Sequence, residues 1–256
     1  MTLVKKRAAR IPRLKSSIPD ELRYEASIKL LLKTAKQLVR KHVDPLLESI
    51  TQNIEVRVDD TDVDLIEEYK TDAEADTIKT ALGKVRTSYD KEIIDRDYER
   101  TAKDSAAKVN LTNFSNHASM MKVVVGVDPV KFEPWLNDEI NLFVQNNVSL
   151  IKTLPAEVFA DIEQMLYREA RRGLSPNELK KQIKLLFDAT DKRAALIARD
   201  QVNKFNGSLT ELRQKKEGIK EYEWQTSQEG RVREDHAVLN GTIQKWDKPP
   251  ITVTTG

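Results

Sequence analysis

Apolar residues recur at intervals of three and four along most of the chain, which is the period of an amphipathic helix. In 22–43 these positions are Leu22, Ile28, Leu31, Leu32, Ala35, Leu38, Val39 and Val43. Asp20 is the expected cap, and Pro12 and Pro19 mark 1–19 as an extended arm. Pro45 breaks or kinks this helix, with Leu46, Leu47 and Ile50 carrying its face onward. A second long pattern occupies 61–109 through Val63, Ile66, Tyr69, Ala73, Ile78, Leu82, Val85, Tyr89, Ile93 and Val109. Its stripe is narrow and its flanks are charged, as in an extended bundle, a coiled coil or an assembly contact. Residues 112–130 read as an irregular linker. Asn113, Ser115, Asn116 and Ser119 lead there to a β-like run, Val123-Val124-Val125, closed by Gly126 and Asp128-Pro129.

Beyond the linker the helical period returns, in Phe132, Trp135, Leu136, Ile140, Phe143, Val144, Val148 and Ile151. Pro155 punctuates, and a helix over about 156–172 follows with Val158, Phe159, Ile162, Leu166 and Tyr167. Gly173 suits the position after a helix, and Ser175-Pro176-Asn177-Glu178 has the form of a capping box. Helix 176–187 uses Leu179, Ile183, Leu186 and Phe187, and Asp188 or Thr190 is the expected cap of the next, 191–216. That helix shows Ala194, Ile197, Ala198, Val202, Phe205, Leu209 and Leu212 on one face, and Gly218 ends it. Then the period changes to two. Tyr222 and Trp224 alternate with Glu221, Glu223 and Gln225, and Val238–Ile243 reads as strand, Asn240-Gly241 turn and strand. The expected fold is α+β and mainly α: a basic arm (1–19), long helices (20–111), a linker (112–130), and helices with a small antiparallel sheet (131–256).

The chain's 256 residues are 39% hydrophobic and 33% charged, so solvated helix outweighs thick core. Eight glycines and nine prolines are too few for a sandwich or barrel with a turn every ten residues or so. No run of apolar residues is long enough for a membrane helix, and the basic N-terminus lacks the apolar stretch of a secretory signal. Zero cysteines exclude disulfides, a cysteine nucleophile and thiolate metal sites.

A net charge of +2 conceals segregation. Residues 1–50 hold twelve lysines and arginines against five acids, whereas 55–76 hold ten acids against Arg57 and Lys70. Such blocks mark interaction surfaces, or they neutralise each other within one chain or between copies. The arm residues Lys5, Lys6, Arg7, Arg10 and Arg13 suit sequence-independent contacts to DNA phosphates. No aromatics interleave them, so base stacking is not offered, and a partner-bound tail is the competing reading.

Catalytic chemistry finds little support. His42 and His117 stand apart from other ligands, as packing or surface residues. His236 lies in the polar run Arg231-Val232-Arg233-Glu234-Asp235-His236, a conceivable nuclease centre, but no second histidine completes a paired motif. Asp60-x-Asp62-x-Asp64 begins like a calcium loop, but Leu65 and Thr71 stand where glycine and glutamate are needed. Phosphate-loop, dinucleotide and serine-elbow motifs are missing from the sequence. No catalytic, cofactor or metal residue is assigned, and the chain is not expected to be an enzyme.

The C-terminal third resembles the phage head morphogenesis family, the minor head or Mu protein F-like proteins. The resemblance is carried by Arg193-Ala194, Ile197-Ala198-Arg199-Asp200-Gln201 and Asn203. It continues through Gly218, Tyr222, Trp224 and Thr226, then Arg231-Val232-Arg233, His236, Leu239 and Gly241, to Pro249-Pro250. It covers about 155–250 well and the N-terminal helices more loosely. Glu229 replaces the family's usual aspartate. The family also runs on into a short cysteine-containing segment that this sequence, ending at Gly256, does not include.

The resemblance implies a structural virion protein of a tailed phage, without enzymatic activity and without cofactors. It would be present in few copies inside the capsid near the portal vertex, and in host cytoplasm during assembly. Its implied partners are the portal protein and packaged double-stranded DNA, held or ejected with its help. Major capsid or scaffolding protein and further copies of itself are additional candidates, and no membrane is involved. The alternatives are a sequence-independent DNA-binding protein or a His236-centred nuclease. Of the motif residues, Trp224 is expected to anchor the sheet to helix 191–216, and Gly241 to need positive φ. Arg199, Thr226, Arg231, Arg233 and His236 are read mainly as structural. Arg231 and Arg233 are expected on one face, pairing with Glu223, Glu229 or Asp235, with DNA phosphate, or with an acidic portal surface.

Overall fold

The computed structural model describes residues 17–55, 63–129, 132–170, 172, 174–226, 232 and 234–250, giving only the backbone for 50–55, 63–74 and 170. Seven helices and one two-stranded antiparallel sheet are present among them, a mainly helical α+β fold. The helices are α1 (Ile18–His42), α2 (Asp44–Glu55), α3 (Val63–Glu92), α4 (Asp95–Val124), α5 (Leu136–Ala170), α6 (Pro176–Lys216) and α7 (Glu234–Leu239). The strands are β1 (Glu221–Glu223) and β2 (Ile243–Lys245). The chain divides into two units. A helical unit comprises Ser16–Val109 and Pro134–Asn203, and a second unit includes Asn110–Glu133 and Lys204–Gly256.

In the helical unit the apolar stripes pack as the sequence predicts. Tyr24, Ile28, Leu31, Leu32, Ala35, Leu38 and Val39 of α1 are buried, as are Ile78, Ala81, Leu82, Val85 and Tyr89 of α3. Helix α1 packs against α2, α3 and α5, and α3 also packs against α5. Leu22, expected on the core stripe, faces solvent, and the phenol of Tyr24 takes the buried place. Tyr24 donates to Asn147 Oδ1 at 2.8 Å, which satisfies both polar groups inside the core. Ion pairs from Lys36 to Asp191 (2.7 Å) and from Arg86 to Glu163 (2.6 Å) tie helices at the rim.

Several predicted boundaries shift. Helix α1 starts at Ile18, with Ser17 at its cap and Pro19 in its first turn, where a missing N–H costs nothing. Asp20 is therefore inside the helix, buried and paired with Arg23 at 2.7 Å. The single pattern over 61–109 is two helices, broken at Ile93-Ile94, where Asp97 accepts the Ile94 N–H at 3.1 Å and starts α4. Residues 112–124 are helical rather than irregular, and within them Asn113 is buried and hydrogen-bonds Asn206 and Thr210 on α6. Phe132 does not join a stripe; it is 80% exposed.

Pro155 does not divide α5. An interior proline costs about 3 kcal/mol or more, yet Ile151, Leu154, Val158, Phe159 and Ile162 are buried on both sides of it and hold the helix together. Asp188 and Thr190 likewise cap nothing, since α6 runs through them. Thr190 donates back to the Leu186 carbonyl at 2.9 Å, and Asp191 is occupied by Lys36. The capping box does form: Ser175 N–H donates to Glu178 at 2.9 Å and Glu178 N–H to Ser175 Oγ at 3.4 Å. The Ser175 hydroxyl, which donates to the Glu178 carboxylate at 2.7 Å, and then the Ser175 N–H hold that carboxyl below its ordinary range.

Candidate functional site

The second unit takes in α4 from Asn110, α6 from Lys204, and the period-two segment that follows. On α6 the buried positions Val202, Phe205 and Leu209 step on by four to Arg213, so the core stripe ends in a guanidinium. Arg213 is only 2% exposed. Its Nε and one terminal nitrogen grip the Glu133 carboxylate at 2.6 and 2.7 Å, a bidentate fork. The terminal nitrogens also donate to Asn110 Oδ1 at 2.6 Å and Asn113 Oδ1 at 2.5 Å. The ring of Phe114 covers the guanidinium at 5.3 Å. Asn113 in turn places its amide within 2.9 Å of Asn206 Oδ1 and 2.7 Å of Thr210 Oγ1 on α6. A buried charge is tolerated when it is paired and hydrogen-bonded, and this one pairs with Glu133 and donates four hydrogen bonds.

His117 lies one turn past Asn113, in helix rather than a polar loop, and is buried. Burial pushes its imidazole below the ordinary value, and Arg213 adds to this. Glu217, 4.0 Å away, and Glu133 pull the other way without prevailing. The neutral ring is therefore favoured.

From Gly218, whose φ of 76° ends α6, the chain enters β1. Strand β1 pairs with β2 in the register Glu221 opposite Lys245, Tyr222 opposite Gln244 and Glu223 opposite Ile243. The predicted strand at Val238-Leu239 is instead the end of α7, whose first turn is favoured by Glu234 and Asp235. Asn240-Gly241 thus closes a helix and leads into β2, and Gly241 takes the left-handed φ of 77°. Beyond β1 the ladder continues, with Trp224 N–H donating to Thr242 O at 2.8 Å and Gly241 N–H to Trp224 O at 2.7 Å. Thr226 N–H donates to Asn240 Oδ1 at 2.9 Å.

One face of this sheet is aromatic. Tyr222 stacks on Trp246 with centroids 3.9 Å apart, and Trp224 meets the edge of His236 at 5.5 Å. The hydrogen bond from sheet to helix comes from Trp246, whose indole donates to Gln214 Oε1 at 3.0 Å. Trp224, the expected anchor, contributes the packing against His236. Arg199 is exposed on α6. Lys5, Lys6, Arg7, Arg10, Arg13, Arg231, Arg233, Asp60 and Asp62 lie outside the described residues.

The Phage Mu protein F like family model matches residues 160–255. Residues 160–255 are therefore similar to that family. The Mu F-like region spans the last turns of α5, all of α6, both strands and α7. An uncharacterized protein of Haemophilus influenzae is 32% identical over 173 residues, 66% of this chain. The chain spans 39% of that relative's length. No solved structure matches the chain.

Chemically, the Mu F-like region offers fastening. Arg213 is committed to its neighbours, and among the described residues no three metal-ligating side chains converge. In the helical unit a cleft of about 650 Å³ opens at the α3–α4 break between Arg86, Tyr89, Tyr98, Lys152 and Phe159. Its cations are taken up by Glu163 and Asp95, at 2.6 and 2.8 Å. Burial pushes the phenols of Tyr89 and Tyr98 above their ordinary value, so neither serves as a base near neutrality. No helix is long and apolar enough to cross a membrane among the described residues.

Proposed function

We infer that this protein is a structural minor head component of a tailed phage. In this reading it sits inside the capsid, docks on the portal, and takes part in head assembly and in holding or ejecting packaged DNA. The observation that carries the reading is the Mu F-like match over 160–255, which takes in the C-terminal half of the Arg213 network and the aromatic sheet. Two physical features support it. The polar groups of the second unit are spent on holding one geometry, which suits a part that is gripped rather than one that turns over substrate. In the same unit Val123, Val124, Val125 and Val127 stand between 43% and 53% exposed, a short apolar run of the kind that assembly partners cover.

Co-expression with the cognate portal protein tests the reading. A complex that co-purifies through a range of salt concentrations is expected. Separation of the two proteins at every salt concentration contradicts portal docking.

A further inference from the structure

The solvent side of α6 within the helical unit carries a pattern that neither the core nor the Arg213 network uses. Leu185 and Leu196 are 59% and 56% exposed. Lys181, Lys184, Lys192 and Arg199 are exposed around them. The spacing repeats: Lys181-x-x-x-Leu185 and, eleven residues on, Lys192-x-x-x-Leu196. Eleven residues make close to three helical turns, so the repeat returns to within about 20° of the same azimuth and sets the leucines about 16 Å apart. Asp188 lies within this stripe and Asp200 beside it, one turn past Leu196, and the flanking Arg193 is engaged by Glu157. The result is a helix face with a regular alternation of cation and leucine, open to solvent.

We propose that this face docks the acidic segment 55–76 of a second copy of the chain. That segment holds ten acids against two bases and interleaves them with Leu65, Ile66 and Tyr69. It therefore offers both things the stripe lacks, carboxylates for the cations and apolar groups for the leucines. A nucleic-acid backbone supplies only the first, and leaves two large apolar side chains unmatched. The near-neutral total of +2, reached from strongly segregated blocks, means that each block's counter-charge is encoded in the same polypeptide. Leu185 and Leu196 are uncovered among the described residues, and the occupant is the segment of another copy. The two surfaces differ, so the contact is heterologous. It builds rings where the rotation closes and open strings where it does not. This holds independently of any head partner.

Sedimentation velocity on the full chain tests it, from about 1 to 100 µM, at roughly 0.05 and 0.5 M salt. Reversible association is expected at low salt, weakening about tenfold or more at high salt. The variants Lys181→Glu/Lys192→Glu/Arg199→Glu and Asp64→Lys/Glu67→Lys/Glu68→Lys are each expected to stay monomeric. Mixed one to one, they associate again, because each carries the surface the other needs. Far-UV circular dichroism checks that both remain helical. Should either not, Lys181→Gln/Lys192→Gln takes its place, with association weakened about tenfold. A wild-type chain that is monomeric at low salt overturns the proposal. So does association untouched by the α6 substitutions, or a mixture of folded variants that stays apart. A chain that gathers only when a short DNA duplex is added overturns it as well, and assigns the face to nucleic acid.

Discussion

The two units are held together by opposite means. The helical unit buries aliphatic stripes: Leu32, Leu82, Leu154 and Ile162 are all at most 1% exposed. The second unit centres on a buried cation that holds Glu133, Asn110 and Asn113, with a stacked tyrosine and tryptophan closing its small sheet. Apolar cores tolerate change of shape as long as volume is kept. A buried ionic network admits one geometry and fails when a single partner is lost. The segment that matches the Mu F-like family thus runs from the first kind of packing into the second. A part whose surface must present a fixed shape gains from that rigidity.

The largest expected effect follows from breaking the network. Arg213→Met leaves the Glu133 carboxylate without its fork and should cost about 3–5 kcal/mol. Three tryptophans occur in the chain. A Trp135→Phe background leaves Trp224 and Trp246, both in the second unit, to report its unfolding in urea. Adding Glu133→Gln to Arg213→Met should recover much of the loss, since no uncompensated charge then remains. Failure to recover would show that shape rather than charge holds this unit.

The matching cut in the helical unit is Leu82→Ala, for a side chain with no exposure. It should cost about 2–5 kcal/mol, read from the far-UV dichroism transition. A smaller loss is expected from Gly241→Ala, which puts a side chain on a left-handed φ of 77° and should cost about 1–2 kcal/mol. Its effect belongs in tryptophan fluorescence, because Gly241 sets the hydrogen bond to Trp224.

The smallest effect sharpens the electrostatic side of the comparison. The folded state holds His117 below its ordinary value, chiefly through burial and then through Arg213. The unfolded chain therefore binds this proton more readily. The stabilisation is present above the unfolded value near 6.5 and is lost as pH falls through the folded value. His117→Gln should flatten the dependence of stability on pH below that point. An unchanged acid slope would mean that the ring is not held neutral.

Much of the helical unit was legible in the sequence, because its stripes keep one period and its capping box is local. What escaped was decided by contacts distant in sequence. Asn113 and His117 read as loop residues, yet they are buried because α6 supplies Asn206, Thr210 and Arg213 opposite Asn113. Pro155 and Thr190 read as breaks, yet packing on both sides carries the helices through them. Arg213 reads as a cation at a helix end, a common surface feature. The signal that finds it is its place four residues after Leu209 on the buried stripe. The sheet was legible as period-two sequence at Tyr222 and Trp224, but its pairing across α7 was not, since Asn240-Gly241 suggested a local hairpin.

The most direct measurement of the head assignment is a quantitative mass spectrum of purified phage particles and of their DNA-free procapsids. Tryptic peptides from 160–255 are predicted in both preparations, at a fixed low ratio to the portal protein. Particles that are complete and infective but carry no such peptides would contradict a structural place in the head.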